Sequence, residues 1–239
     1  MAAGLPDALF DNPIHIREDA FRNFVSLRRS RDLFHRLVDN DEDSAAAMKA
    51  EMRTRGRKDQ PLINRPFEPW YGVVGFPFDH RNWAQSRYTN GSFGVWYGSR
   101  SVETTVAETT YHFARELAGR GQDRHDRPII RERCVKTAHV DALVFDLCDK
   151  ERDFPALVAS DSYDFTHQVG RAIHEGHHPG LVAPSARRAG GMNIDIFSPN
   201  YLRNPRDYCH LTYRFHPGDG RMEVEREPGA VWMTLRPLA

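Results

Sequence analysis

Four side chains on two short segments form a coherent chemical set. The first segment, Arg87 to Glu108, reads RYTNGSFGVWYGSRSVETTVAE. An arginine and a polar turn lead into a short apolar stretch carrying Tyr97, and Glu108 follows in a helix-prone run. The second segment, Ala183 to Phe197, reads APSARRAGGMNIDIF and places Ser185 directly after an apolar run. An arginine fork grips an anion through two parallel hydrogen bonds. A tyrosine offers a flat ring for stacking and a hydroxyl for hydrogen bonding. A carboxylate stabilises positive charge that develops as a bond breaks, and a hydroxyl bonds a sugar or amide group or orients that carboxylate. An anion clamp, an aromatic platform, a carboxylate and a hydroxyl suit a nucleotide with a cationic leaving group better than a metal, a lipid or a nucleic-acid duplex. Each residue alone has a plainer reading: Glu108 as a solvated helix face, Arg87 as an ion-pair partner, Tyr97 as core, Ser185 as a turn or N-cap residue.

These residues need elements to hold them. Phe93-Gly-Val-Trp-Tyr-Gly alternates and predicts a strand with Tyr97 on the side of Phe93 and Val95. Ser101 is a good N-cap, with Glu103 and Thr104 in the first turn, and the helix that follows runs to a C′ glycine at Gly119. Val102, Val106, Phe113 and Leu117 face the core. Pro128 to Val135 and Val140 to Cys148 predict two strands, and Phe165 to Glu175 a helix. Gly180 to Ala183 predicts a buried strand and Asn193 to Phe197 another. Leu211 to Phe215 and Met222 to Arg226 bracket PGDG as a hairpin. Phe21, Phe24 and Leu27, continued by Phe34, Leu37 and Val38, recur at helical spacing, and Ser44 to Arg55 is rich in helix formers. The polar stretch RGRKDQP then marks a boundary. The expected fold is α+β: a mixed or antiparallel β core with interleaved helices over residues 59–239, preceded by a helical extension over 1–58.

Lys plus Arg equals Asp plus Glu at 33 each, so the basic excess that wholesale nucleic-acid binding leaves is missing. The basic side chains are nearly all arginine, an expected outcome of GC-rich coding. No apolar run approaches the roughly 20 residues of a membrane span. The first residues lack the charged and apolar regions of a signal peptide. The three cysteines, Cys134, Cys148 and Cys209, are far apart and form no CxxC pair. A reducing, cytoplasmic setting is expected. His174, His177 and His178 do not follow HExxH spacing and sit where a helix ends at Gly176, so no metal site is expected. Gly72-Val-Val-Gly75 lacks the strand–turn–helix context of a phosphate loop.

The two segments together resemble the RES domain, the toxin half of bacterial RES–Xre toxin–antitoxin pairs. Arg87, Tyr97 and Glu108 fall at that family's spacing without gaps, and Pro184, Ser185, Ala186, Arg187, Gly190, Gly191, Asn193 and Phe197 match its later motif. The resemblance runs over roughly residues 62 to 215. The family's Trp and Asn after the arginine are Tyr88 and Thr89 here, and its next glycine is displaced to the Gly91-Ser92 stretch. Its earlier arginine has two candidates, Arg65 and Arg81. The resemblance implies a fold similar to ADP-ribosyltransferases, NAD+ as substrate with no further cofactor, and an Xre-like antitoxin as partner. A homo-oligomer and a toxin–antitoxin complex are both open. By the same resemblance Glu108, Arg87 and Ser185 carry catalysis, while Arg87, Tyr97, Ser185 and Asn193 contact the nucleotide. Cleaving the nicotinamide–ribose bond passes through an oxocarbenium-like state, and the cationic leaving group needs no strong acid. The competing readings are transfer of ADP-ribose to a protein, a non-catalytic nucleotide- or partner-binding module, and an RNA-directed toxin, the last opposed by the balanced charge.

Overall fold

The computed structural model describes residues 5–25, 71–121 and 127–238. Ten strands and two α-helices are found there: β1 (Pro13–Val25), β2 (Gln85–Ser86), β3 (Thr89–Asn90), β4 (Trp96–Ser99), α1 (Val102–Gly119), β5 (Ile129–Asp146), α2 (Asp164–Glu175), β6 (Gly180–Pro184), β7 (Met192–Ile196), β8 (Leu202–His216), β9 (Arg221–Glu227) and β10 (Ala230–Leu235). Eight strands form one sheet in the order β1-β4-β7-β6-β5-β8-β9-β10, while β2 and β3 form a small separate ribbon. Every pairing is antiparallel except β5 with β6. Because β1 also pairs with β5, the ladder closes on itself through β1, β4, β7, β6 and β5, and β8 to β10 extend from the far half of β5. The chain is therefore α+β with a mostly antiparallel sheet, as expected.

Residues 13–25 depart from the helical reading. They are a strand, and β1 runs against β5 in unbroken register from Pro13↔Phe145 to Val25↔Arg133. A spacing of three puts Phe21 and Phe24 on one face of a helix but on opposite faces of a strand. Phe21 packs against the cluster that α1 shares with β8 and β9, while Phe24 packs against the one that contains Trp96. Leu27, Phe34, Leu37, Val38, residues 44–55 and the boundary near residue 58 lie outside the described residues.

The two strands expected between Pro128 and Cys148 are one 18-residue strand. Lys136-Thr-Ala-His139 reads as a polar interruption, yet its two long polar side chains meet partners on both sides. Lys136 pairs with Asp207 of β8, and His139 Nδ1 lies 3.0 Å from Asp19 of β1. Strand β4 is shorter than expected and starts at Trp96; β10 has no counterpart in the sequence reading.

Three apolar clusters pack this sheet. One fills the inside of the closed ladder, with Ile16, Ala20, Trp96, Val140, Val144, Ile194 and Ile196. A second lies beneath α2, with Tyr88, Phe93, Val169, Ile173 and Leu181. A third seats α1 on β8 and β9 through Val102, Val106, Phe113 and Leu117 against Leu211, Tyr213 and Val224, which matches the expected inward face of that helix. Strand alternation sorts the rest. Trp96 and Ile194 point into the ladder, whereas Tyr97, Asn193 and Asp195 point outward, between the two helices. Among the described residues no helix is long and apolar enough to cross a membrane.

Candidate functional site

A cleft of about 1030 Å³ opens where α1, the outward face of β4 and β7, and the residues leading into α2 converge. Arg87, Tyr97, Glu108 and Asn193 all line it. Ser185 is buried immediately behind Glu108.

Glu108 owes its position to helix α1. Ser101 caps that helix, its hydroxyl accepting from the Thr104 N–H at 3.2 Å, as expected. Four threonines in the first turns are poor helix formers in isolation. Here Thr105, Thr109 and Thr110 bond back to carbonyls of the preceding turn, and Thr104 bonds the cap hydroxyl. Glu108, His112 and Glu116 recur every four residues along the cleft side. Below them a polar network sets the helix on the sheet. Asn23 Nδ2 donates to Tyr213 Oη at 2.8 Å, and Tyr213 Oη lies 2.8 Å from Thr109 Oγ1. Arg133 donates to both the side-chain and main-chain oxygens of Asn23 at 2.9 Å. Burial brings the Arg133 guanidinium down to about 10, still charged at neutral pH. The helix ends two residues later than expected. Gly119 is its last residue, and the left-handed position is Gly121, at φ 68°.

Two donors hold the Glu108 carboxylate. Ser185 Oγ donates to Oε1 at 2.7 Å, and Asn193 Nδ2 donates to the same oxygen at 3.0 Å. Asn193 is itself held, because Ser99 Oγ donates to its Oδ1 at 2.7 Å. Ser185 has a second role. Its oxygen accepts from the N–H groups of Arg187 and Arg188 at 3.2 and 3.1 Å, tying the loop between β6 and β7. The turn reading and the carboxylate-orienting reading are thus both realised. Gly191 completes this loop against α1, since a Cβ there would lie 2.9 Å from Thr104 Oγ1 and 3.1 Å from Ser185 Cβ.

Tyr97 stands on β4 with its hydroxyl already engaged, 2.7 Å from Ser86 Oγ and accepting from the Tyr88 N–H at 3.0 Å. These bonds pin the ring and leave its body to the cleft. Burial, reinforced by Asp195, raises the Tyr97 phenol well above its ordinary value, so it stays protonated. Arg87 follows Ser86 on the ribbon connection, which α2 holds in place. Gly170 of α2 presses against Tyr88, where a Cβ would sit 1.7 Å from the carbonyl oxygen, and His167 Nε2 lies 2.9 Å from Ser86 O. The Arg87 guanidinium donates to the carbonyls of Leu157 and Ala159 at 3.1 and 3.2 Å and lies 4.9 Å from the Tyr163 ring centre. It thereby fastens the far wall of the cleft while lining it.

Of the two earlier arginines, Arg65 lies outside the described residues. Arg81 is exposed, forked onto Asp79, and away from the cleft lining. Arg187 is not a cleft residue either; it lies 3.4 Å over the Tyr111 ring and donates to Ser160 O. The histidine cluster is spent on packing: His174 stacks on Phe93 with ring centres 4.1 Å apart, and His178 meets Phe145 edge-on. Its chain reversal falls on His177, at φ 53°, rather than on Gly176. Among the described residues no group of three or more metal-ligating side chains comes together.

Asp195 was not singled out by sequence. It lies on the cleft floor, 1% exposed, directly across the ladder from Tyr97. Its signal was an acidic residue breaking the apolar run of MNIDIF, which strand alternation turns toward the same side as Asn193. Asn23 and Phe21 also line the cleft, and a helical reading of residues 13–25 does not bring them there.

A family model described as RES domain matches residues 64–216. No curated protein matches the chain significantly. Among solved structures, a chain in the crystal structure of the M. tuberculosis MbcT-MbcA toxin–antitoxin complex is similar at 14% identity and a TM-score of 0.46, over 89% of this chain and 90% of that one.

Proposed function

Because the chain belongs to the RES-domain family, we propose that it is an NAD+-degrading toxin of ADP-ribosyltransferase-like design, neutralised by an Xre-like antitoxin. One observation carries the reading: Glu108 is fixed by two donors inside a cleft that also presents the Arg87 guanidinium and the Tyr97 ring. A carboxylate oriented in this way, before any ligand arrives, is what an oxocarbenium-like transition state requires.

In this mechanism the diphosphate binds at the Arg87 end, where the guanidinium exchanges neutral carbonyl partners for charged oxygens. The pyridinium and its ribose lie deeper, along Tyr97 and toward Glu108. As the bond from C1′ to the pyridine nitrogen lengthens, positive charge spreads over C1′ and the ring oxygen, and the Glu108 carboxylate stabilises it. Nicotinamide leaves as a neutral base with the bonding pair, so no proton is needed at that step. Water or phosphate then attacks C1′ and loses its proton. Ser185 and Asn193 act through Glu108 as positioning residues.

The test is incubation of purified protein, free of any antitoxin, with NAD+ in the presence and absence of phosphate. Release of nicotinamide with ADP-ribose marks hydrolysis, and ADP-ribose 1″-phosphate marks phosphorolysis. Labelled protein marks ADP-ribosyl transfer. No nicotinamide release from folded wild-type protein would leave the cleft as a binding module.

A further inference from the structure

Of the carboxyls that line this cleft, Glu108 and Asp195 flank Tyr97 and Asn193, and they are treated differently. Glu108 receives two hydrogen bonds, whereas the carboxyl of Asp195 receives none from any described residue, and its Oδ1 is buried without a partner. Asp195 sits on β7 between Leu181 of β6 and Tyr97 of β4, its side chain on the cleft floor. An antiparallel partner places its Cβ roughly 5 Å from that of Tyr97. A buried, unpaired carboxylate is strongly disfavoured, and a protonated one is not. Glu108 on α1 and Arg87 in the connection between β2 and β3 act on it, and it acts in turn on Tyr97 of β4 and on Tyr88. Burial and the negative Glu108 raise the Asp195 carboxyl well above the ordinary carboxylate range, with Arg87 opposing. Glu108 is thereby bound by two donors, whereas burial favours the protonated form of Asp195, a division by environment that marks distinct roles. In its protonated form the acid carries a hydrogen-bond donor, and among the described residues no side-chain or main-chain group is bonded to its carboxyl.

We propose that Asp195 is a specificity-determining residue of the cleft, a carboxylic acid whose hydroxyl donates to the carboxamide oxygen of the substrate's pyridine ring while that ring stacks on Tyr97. This rests on the NAD+ reading above and names the contact by which the leaving base is chosen. A pyridine ring on the pinned Tyr97 brings a 3-substituent within reach of the residue directly across the ladder. An aromatic platform alone accepts any flat base; the buried donor discriminates, because a base without an acceptor leaves it unpaired.

Nicotinamide or base release is measured for wild type, Asp195→Asn and Asp195→Leu with two substrates, NAD+ and its analogue carrying unsubstituted pyridine, across a pH range. Asn keeps a donor and should stay within about threefold of wild type on NAD+ near neutral pH, whereas Leu should lose about tenfold or more in kcat/KM, chiefly through KM. On the unsubstituted analogue, Leu should equal or exceed wild type. The wild-type rate should fall as pH rises through the raised value of Asp195, and Asp195→Asn should not share that fall. Equal losses by the Leu variant on both substrates, or alkaline falls that coincide in wild type and Asp195→Asn, would overturn the assignment. If Leu fails to fold, the Asn pH profile still decides. Absence of wild-type turnover would instead remove the NAD+ reading, and the carboxamide contact with it, so the two failures are distinguishable.

Discussion

The two ends of the cleft are built on different terms. At the Glu108 end the carboxylate oxygen Oε1 is held by side chains from the β6–β7 connection and from β7, and Asn193 is held in turn by β4. At the Arg87 end the guanidinium bonds, among the described residues, only main-chain carbonyls at 157 and 159 and faces Tyr163, in a connection that has neither helix nor strand from 159 to 163. The first end is complete before substrate binds. The second is assembled from neutral partners, and a charge-assisted bond is roughly twice as strong as a neutral one. On the proposed function, charge stabilisation would be preorganised, and anion capture would be an exchange.

The sharpest test of this contrast is Glu108→Gln, which keeps size and loses charge. We expect kcat to fall by roughly a thousandfold with little change in KM or melting temperature. A variant within about threefold of wild type would show that the preorganised end is not the catalytic one. Expression of wild type alone should stop growth and lower cellular NAD+, with the neighbouring gene restoring both and Glu108→Gln harmless.

Arg87→Lys should be the next largest. An ammonium cannot hold a diphosphate with a planar fork, nor bond both carbonyls while doing so. We expect about ten- to a hundredfold lower kcat/KM, shared between KM and kcat because the same grip places C1′ against Glu108. Unchanged kinetics would make Arg87 a strut for the far wall and nothing more.

Removing one of the two donors to Glu108 should have smaller effects, expressed in kcat. A hydrogen bond to a charged group contributes about 1.5–3 kcal/mol, so Asn193→Ala and Ser185→Ala should each lower kcat about ten- to a hundredfold. Only Ser185→Ala should also lower the melting temperature, because it strips the acceptor from two loop N–H groups. Equal thermal effects would mean that the loop does not depend on Ser185.

What the sequence disclosed follows the range of its signals. Helix α1, its cap at Ser101 and its buried face were legible because all three are local patterns. Arg87, Tyr97, Glu108, Ser185 and Asn193 were legible as a set because two motifs stood in order, and the fold brings them to one cleft and its back wall. Strand β1 was not, because a spacing of three is helical in one context and two-faced in another, and only its pairing with β5 decides. The polar interruption in β5 is resolved by Asp207 and Asp19, both distant in sequence. Asp195 was invisible for a related reason. A lone acid in an apolar run acquires meaning only when Tyr97 and Glu108 are placed around it.

The smallest expected effect separates the two carboxyls of the preorganised end by stability rather than rate. Folding raises the proton affinity of Asp195 through burial and the nearby Glu108. Between the unfolded value, about 3.9, and the raised folded value, the native state binds a proton that the unfolded chain has released, so stability falls as pH rises across that window. Asparagine has the same shape and no proton to lose. Asp195→Asn should therefore melt at a higher temperature than wild type near neutral pH, with the gap closing as the pH approaches about 4. A site that keeps a costly acid where an amide would be more stable is holding it for a ligand, as strained or mismatched groups at functional sites do. Parallel melting curves for the two proteins across that range would show that Asp195 is not held as a neutral acid, and would remove the physical ground for its role in choosing the base.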